Sequence, residues 1–366
     1  MNRGNNVRII SELFFILILI TLIINYISIY IIFFVLKIPA KGEAIFYFIY
    51  IPILAFGFII TPIQTTFWII ILTLIITAVL VFIFRDFFKF LKNKDYDRPL
   101  ALSEGLLIII SFTLLSYYLS LIFTGNSQPF GNPVSSTPQN DLIVELLQAP
   151  VWEEFAYRSI LIGIPLYIYY MIKGYNIQKY RMITGGNYSL NIPSIILILI
   201  SSFFFGYAHT ASWSIYKVPS AMFAGIVLGI IFVRYGIYMS IAAHFFIDFS
   251  GVLSYYPSPL NYAFDIYLGI LYIIMTVFGL FYIVYYLIYP FINMKNKNIN
   301  GNKKTSENNY MSQNFIIICP YCGYDKHEIL PDGTFRCLKC GGIFRIEFSG
   351  KPPETVKEYG GNEYKK

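Results

Sequence analysis

Three charged residues, Glu153, Glu154 and Arg158, lie in the otherwise apolar run "APVWEEFAYR" (149–158). An ionisable group inside a bilayer is costly, so each one marks a place where function is the first expectation. On a helix, Glu154 and Arg158 are four residues apart, share a face and can pair. Glu153 is turned by about 100° from its neighbour and is left free to work. His244 and Asp248 repeat the four-residue spacing in "AAHFFIDFS", and His209 ends the apolar run "FFFGYAH". These residue types suit hydrolysis. A glutamate can take a proton from water, an imidazole can share it, and a second imidazole with a carboxylate can support the developing oxyanion. A glutamate and two histidines could instead ligate Zn²⁺ with a position open for water. The helix pattern H-E-x-x-H is absent, which excludes the common zincin arrangement. The same residues also fit plainer roles: a Glu–Arg helix clip, an interfacial histidine, an interhelical hydrogen bond, or the proton or cation path of a transporter.

For these residues to meet, the elements that carry them must cross a membrane side by side. The chain has 366 residues, 57% hydrophobic and 13% charged, with a mean hydropathy of +0.61. A soluble domain carries roughly a quarter charged residues. Apolar blocks fall near 9–36, 44–61, 67–84, 105–123, 150–171, 193–210, 219–234, 236–254 and 264–290. About 20 residues of helix cross the hydrocarbon core, so the expected fold is an all-α polytopic membrane protein of eight or nine transmembrane helices. The first block is too long for a signal peptide and is expected to be a span.

Basic residues set the orientation. The loops 85–98 and 172–192 and the tail after 291 carry the Lys and Arg clusters and should be cytoplasmic, whereas 124–149 and 255–263 carry none and should face outward. Counting nine spans back from the tail puts the N-terminus outside, against Arg3 and Arg8, and leaves Lys217 alone in an outer loop. The stretch "DLIVELLQAP" (141–150) is expected to be a short amphipathic helix lying on the membrane. Glu104, Glu145, Arg234 and Asp265 lie near block ends, where snorkelling suffices. On this topology Glu153, His209 and His244 come to similar depth in the outer half of the membrane. The net charge of +7 needs no nucleic-acid partner, because basic cytoplasmic loops account for it.

The three motifs are distinctive in their order. "EEFAYR" (153–158) reads EExxxR, "FGYAH" (205–209) reads FxxxH, and "HFFID" (244–248) reads HxxxN/D. The set resembles the CAAX-protease and bacteriocin-processing (Abi, CPBP) family of intramembrane endopeptidases, over roughly residues 100–255. The resemblance implies a membrane-embedded helical core that acts on a membrane-associated protein or peptide, prenylated in some members. It implies Glu153 as catalytic base, His209 as its partner in activating water, Glu154 and Arg158 as support, and His244 with Asp248 at the oxyanion. Asp248 stands where the family often has Asn. An ionised Asp cannot donate a hydrogen bond to an oxyanion, but it can orient His244. The residues leave a catalytic metal open, and the reading here favours a glutamate-activated water without one. A catalytically idle receptor or scaffold of the same fold is the further alternative.

The tail differs in character. Residues 291–366 hold 12 Lys+Arg and 8 Asp+Glu and all four cysteines of the chain. "CPYCGYDKHEILPDGTFRCLKCGG" (319–342) presents Cys319 and Cys322, then Cys337 and Cys340, as two C-x-x-C-G knuckles around a turn. Four thiolates so spaced bind one structural zinc, as in a zinc ribbon, and "IFRIEF" (343–348) alternates as a strand. His327 is expected at the surface. The ribbon is expected on the cytoplasmic side, with recruitment of a protein partner as one use for it. The expected organisation is N-terminal spans in 1–100, a catalytic core in 101–290, a flexible linker in 291–314, a small β zinc-ribbon domain in 315–350 and a polar tail in 351–366.

Overall fold

The computed structural model describes residues 5–35, 44–47, 57–93, 96–131, 139–174, 177–211, 213–252 and 259–301, and in the tail 327–329, 335–337 and 343–344. It divides into two units, residues 1–293 and 294–366. The first is helical. Helix α1 (Asn5–Tyr30) ends in a π-helical turn, Ile31–Val35. Two short strands follow, β1 (Ala44–Tyr47) and β2 (Gly57–Ile60), paired antiparallel. The block 44–61 was expected to span, but its described ends form this hairpin. Helix α2 (Pro62–Lys92) starts from a Thr61–Gln64 capping box with Pro62 in its first turn, and ends on Lys89 and Lys92, which suit the negative end of the helix dipole. Helix α3 (Arg98–Thr124) stops at Gly125, whose φ of 63° lies in the left-handed region that glycine adopts readily.

Helix α4 (Gln139–Glu154) runs through Pro150 into a π-helical segment, Phe155–Gly163, and on into α5 (Ile164–Ile172). The stretch expected to lie flat on the membrane belongs to α4, and its Leu142, Ile143, Val144 and Leu147 are buried. After the short α6 (Arg181–Thr184), helix α7 (Ile192–Ala208) opens with an Asn191–Ser194 capping box. Helices α8 (Val218–Tyr235) and α9 (Ile237–Phe249) are separated by Gly236 alone, at φ 104°. Helix α10 is Pro259–Gly301. It carries helical backbone through 291–301, where a flexible linker was expected; 302–314 lie outside the described residues.

Among the described residues six helices are long and apolar enough to cross a membrane: Val7–Phe33, Ile63–Lys92, Arg98–Thr124, Leu142–Ile172, Ile215–Tyr235 and Tyr262–Ile288. Two shorter apolar helices, Ile192–Ala208 and Ile237–Phe249, lie with them. The fold is that of an all-α polytopic membrane protein. Its main core joins α1, α2, α3, α4, α8, α9 and α10 through residues such as Phe14, Leu72, Leu107, Leu147, Phe246 and Tyr282. A smaller cluster of Ala156, Tyr157, Phe205 and Ala221 ties the π segment to α7 and α8.

Glu104 does not snorkel. It is buried between α1, α3 and α10, accepting from Ser11 Oγ at 2.9 Å and from Tyr286 OH at 2.6 Å.

In the second unit, β3 (His327–Ile329), β4 (Phe335–Cys337) and β5 (Ile343–Phe344) form an antiparallel sheet in the order 3-4-5. His327, expected at the surface, is partly buried with its ring 5.8 Å from that of Phe335. Cys319, Cys322 and Cys340 lie outside the described residues, as does the side chain of Cys337, so the zinc ribbon rests on the sequence.

Candidate active site

Three helical segments converge on one buried polar cluster. The first supplies Glu153 and Glu154 at the end of α4 and Arg158 in the π segment. Pro150 lacks the N–H that would bond back along the helix, and the i→i+5 pattern begins one residue after Glu154. Insertions of this kind re-aim side chains within a span and recur at functional sites. Glu154 and Arg158 are both fully buried, with Arg158 Nε 3.1 Å from Glu154 Oε2. Arg158 also donates from Nη1 to Ser201 Oγ at 3.1 Å and packs its guanidinium 4.8 Å from the centre of the Phe205 ring. Ser201 in turn donates to the Tyr157 carbonyl at 2.6 Å.

The second segment is α9. His244 Nδ1 meets Glu154 Oε1 at 2.9 Å, and Ser240, one turn earlier, donates to Glu154 Oε2. Glu154 is thus held by three groups from two segments, as a buried charge must be. His244 Nε2 points to the other carboxylates, 3.1 Å from Asp248 Oδ2 and 3.8 Å from Glu153 Oε2. The Glu153 and Asp248 side chains stay 31% and 23% exposed, whereas Glu154 is sealed. The two partly exposed carboxylates therefore flank Nε2 of one buried imidazole.

The third segment is the end of α7. His209 caps this helix, and its Nδ1 lies 2.8 Å from the Phe205 carbonyl. The Phe205 ring packs edge-on against both imidazoles, with centroids 4.9 Å from His209 and 5.8 Å from His244. Five of the six residues singled out from the sequence thus share direct contacts, and His209 joins them across one aromatic ring. The imidazole in contact with Glu153 is His244, at 3.8 Å, and His209 stands across the Phe205 ring from it. Sequence reasoning passed over Ser201 and Ser240. Their signal was the four-residue spacing of Ser240 to His244 and a serine pair, Ser201–Ser202, inside an apolar helix.

Gly206 allows α7 to approach α8 this closely. A Cβ there would lie 2.3 Å from Met222 Cγ and 3.0 Å from the Met222 backbone nitrogen. Small residues at a membrane helix contact permit such packing. Among the described residues no group of three His, Cys, Asp or Glu is arranged to hold a metal ion.

Fold and cluster together define a helical membrane protein with a carboxylate–imidazole site enclosed by its spans. Residues 138–250, which contain every residue of that site, match the family model described as type II CAAX prenyl endopeptidase Rce1-like. The match points to CAAX-type intramembrane protease activity. Neither the curated proteins nor the solved structures gave a match to the chain.

Proposed function

We propose that the protein is an intramembrane endopeptidase that hydrolyses a peptide bond of a membrane-associated protein or peptide, with lipidated chains among the candidates. The observation that carries this reading is the pairing of a sealed, fully hydrogen-bonded glutamate with an accessible one beside a shared imidazole. Glu154 holds Arg158, Ser240 and His244 in place. Its acceptance from His244 Nδ1 fixes the ring and aims Nε2 at Asp248 and Glu153. Glu153 takes a proton from the attacking water, with His209 across the Phe205 ring assisting from α7. His244, protonated on both nitrogens and held by Glu154 at Nδ1 and Asp248 at Nε2, places its positive charge beside the oxygen on which charge develops. No step in this sequence runs through a metal.

The experiment is peptide cleavage by the full chain in lipid bilayers. Glu153→Ala, His209→Ala and His244→Ala should each lose at least about a hundredfold in turnover, the scale of a lost general base or oxyanion donor. Wild-type turnover by the Glu153→Ala protein would remove the mechanism. The tail is proposed to hold one structural zinc through Cys319, Cys322, Cys337 and Cys340, on the strength of their spacing.

A further inference from the structure

Lys217 is the residue that fits neither the charge pattern nor the mechanism. It lies at the end of the bundle away from the Lys- and Arg-rich loops, where basic residues are disfavoured. It closes a short 3₁₀ turn, Ile215–Lys217, immediately before α8. Its ammonium nitrogen lies 5.1 Å from the centre of the Phe130 ring and 5.1 Å from that of Trp213. Two aromatic faces hold a cation without neutralising it, and they leave its N–H donors free.

The loop around this lysine is tied to the site. Trp213 N–H donates to the His209 carbonyl at 2.8 Å, and Ser214 N–H to the Phe130 carbonyl at 2.9 Å. Ser214 Oγ also bonds the Pro129 carbonyl. Two outer loops are thereby stitched together, with the ammonium between them. Among the described residues, Asp248 and His209, both of the site, lie within electrostatic range of Lys217. Asp248 is already engaged with His244 Nε2 at 3.1 Å, and no carboxylate among the described residues makes an ion pair with Lys217. A half-buried lysine that stands beside a hydrolytic cluster, held by two aromatic faces and with no carboxylate in ion-pair contact among the described residues, is set to receive an anion.

We propose that Lys217 binds a carboxylate of the substrate peptide at the mouth of the site and so selects which peptides are cut. This rests on the endopeptidase reading above. The carboxylate can come from an acidic side chain or from a free C-terminus, and both present the same two oxygens to an ammonium.

The test uses the full chain in neutral-lipid bilayers and a matched set of quenched-fluorescence peptides. One carries both an acidic residue near the cleaved bond and a free C-terminus. In two others, one or the other group is amidated, and in a fourth both are. Wild type should favour a carboxylate-bearing peptide by about tenfold or more in kcat/KM, carried by KM, as expected for a charge-assisted contact. Lys217→Gln should abolish the preference and Lys217→Arg should keep most of it. The amide that costs the wild type its preference identifies which carboxylate is read. Cleavage by Lys217→Gln with the preference intact overturns the proposal, as does an equal loss on all four peptides, which is what a lipid-binding or purely structural lysine gives. Binding of the four peptides to Glu153→Gln, followed by Trp fluorescence, separates the two readings. Discrimination in binding without any cleavage by wild type retains Lys217 and discards the protease. Cleavage with no discrimination does the reverse.

Discussion

At the level of single residues, the site is a problem of burying charge and keeping part of it usable. Glu154 and Arg158 are inaccessible and mutually dependent. Removing Arg158 takes away the permanent counter-charge of a sealed carboxylate, so Arg158→Met should cost about 3–5 kcal/mol of stability, read as a lowered melting midpoint in detergent. Ser240 is a gentler probe. Ser240→Ala removes one of the three groups on Glu154. It should lower kcat by about tenfold with KM little changed, since a hydrogen bond to a charged group contributes about 1.5–3 kcal/mol. An unchanged kcat would show that Ser240 does not position Glu154. The Glu154–Arg158 pairing was legible in the sequence because both residues sit on one helix four apart. The contact of His244 with Asp248 was legible for the same reason, but its contact with Glu154 was not, because it depends on how α9 packs on α4, which spacing along either helix does not encode.

At the level of elements, the site depends on a π segment and on close helix contacts. Periodicity could not reveal the π segment, and Pro150, five residues before it, was the one local irregularity in the sequence. The block 44–61 shows a related limit: short apolar runs read alike as helix or strand, and here the described ends pair as strands. Glu104 misled in the opposite direction, since nearness to a block end does not disclose a tyrosine on α10 waiting to hold it. Gly206 offers the cleanest test at this scale. Gly206→Val must push α7 off α8, because the nearest obstacles include the Met222 backbone. Such overpacking costs about 1–3 kcal/mol, and the shift moves Phe205 and His209 relative to His244. Activity should therefore fall further than the melting midpoint implies. A stable variant with wild-type turnover would mean that the α7–α8 spacing does not set the site.

For the whole molecule, taking 44–61 out of the span count changes the topology. If the six long and two shorter apolar helices among the described residues all cross, counting back from the basic tail would place the N-terminus on the cytoplasmic side, where Arg3 and Arg8 would agree with the other basic segments. On that topology the site would open toward the outer face. All native cysteines lie in the tail, so replacing them with serine gives a clean background for labelling. An impermeant maleimide on intact cells should label Gln128→Cys and leave Lys179→Cys unlabelled, both positions being exposed. The opposite pattern would invert the topology. The same tail should carry one zinc per chain by elemental analysis, and its four-serine variant none. The class of fold was legible from composition and block length alone, while the pairing of 44–47 with 57–60 as strands was not.

The central claim is that Glu153 activates water at an imidazole shared with Glu154. Its most direct test is the turnover of Glu153→Gln beside wild type in the same bilayer, with matched melting midpoints to show that both are folded. The account predicts a loss of at least about a hundredfold, because the amide keeps the shape and cannot take the proton. Turnover equal to wild type from a folded Glu153→Gln protein would contradict it.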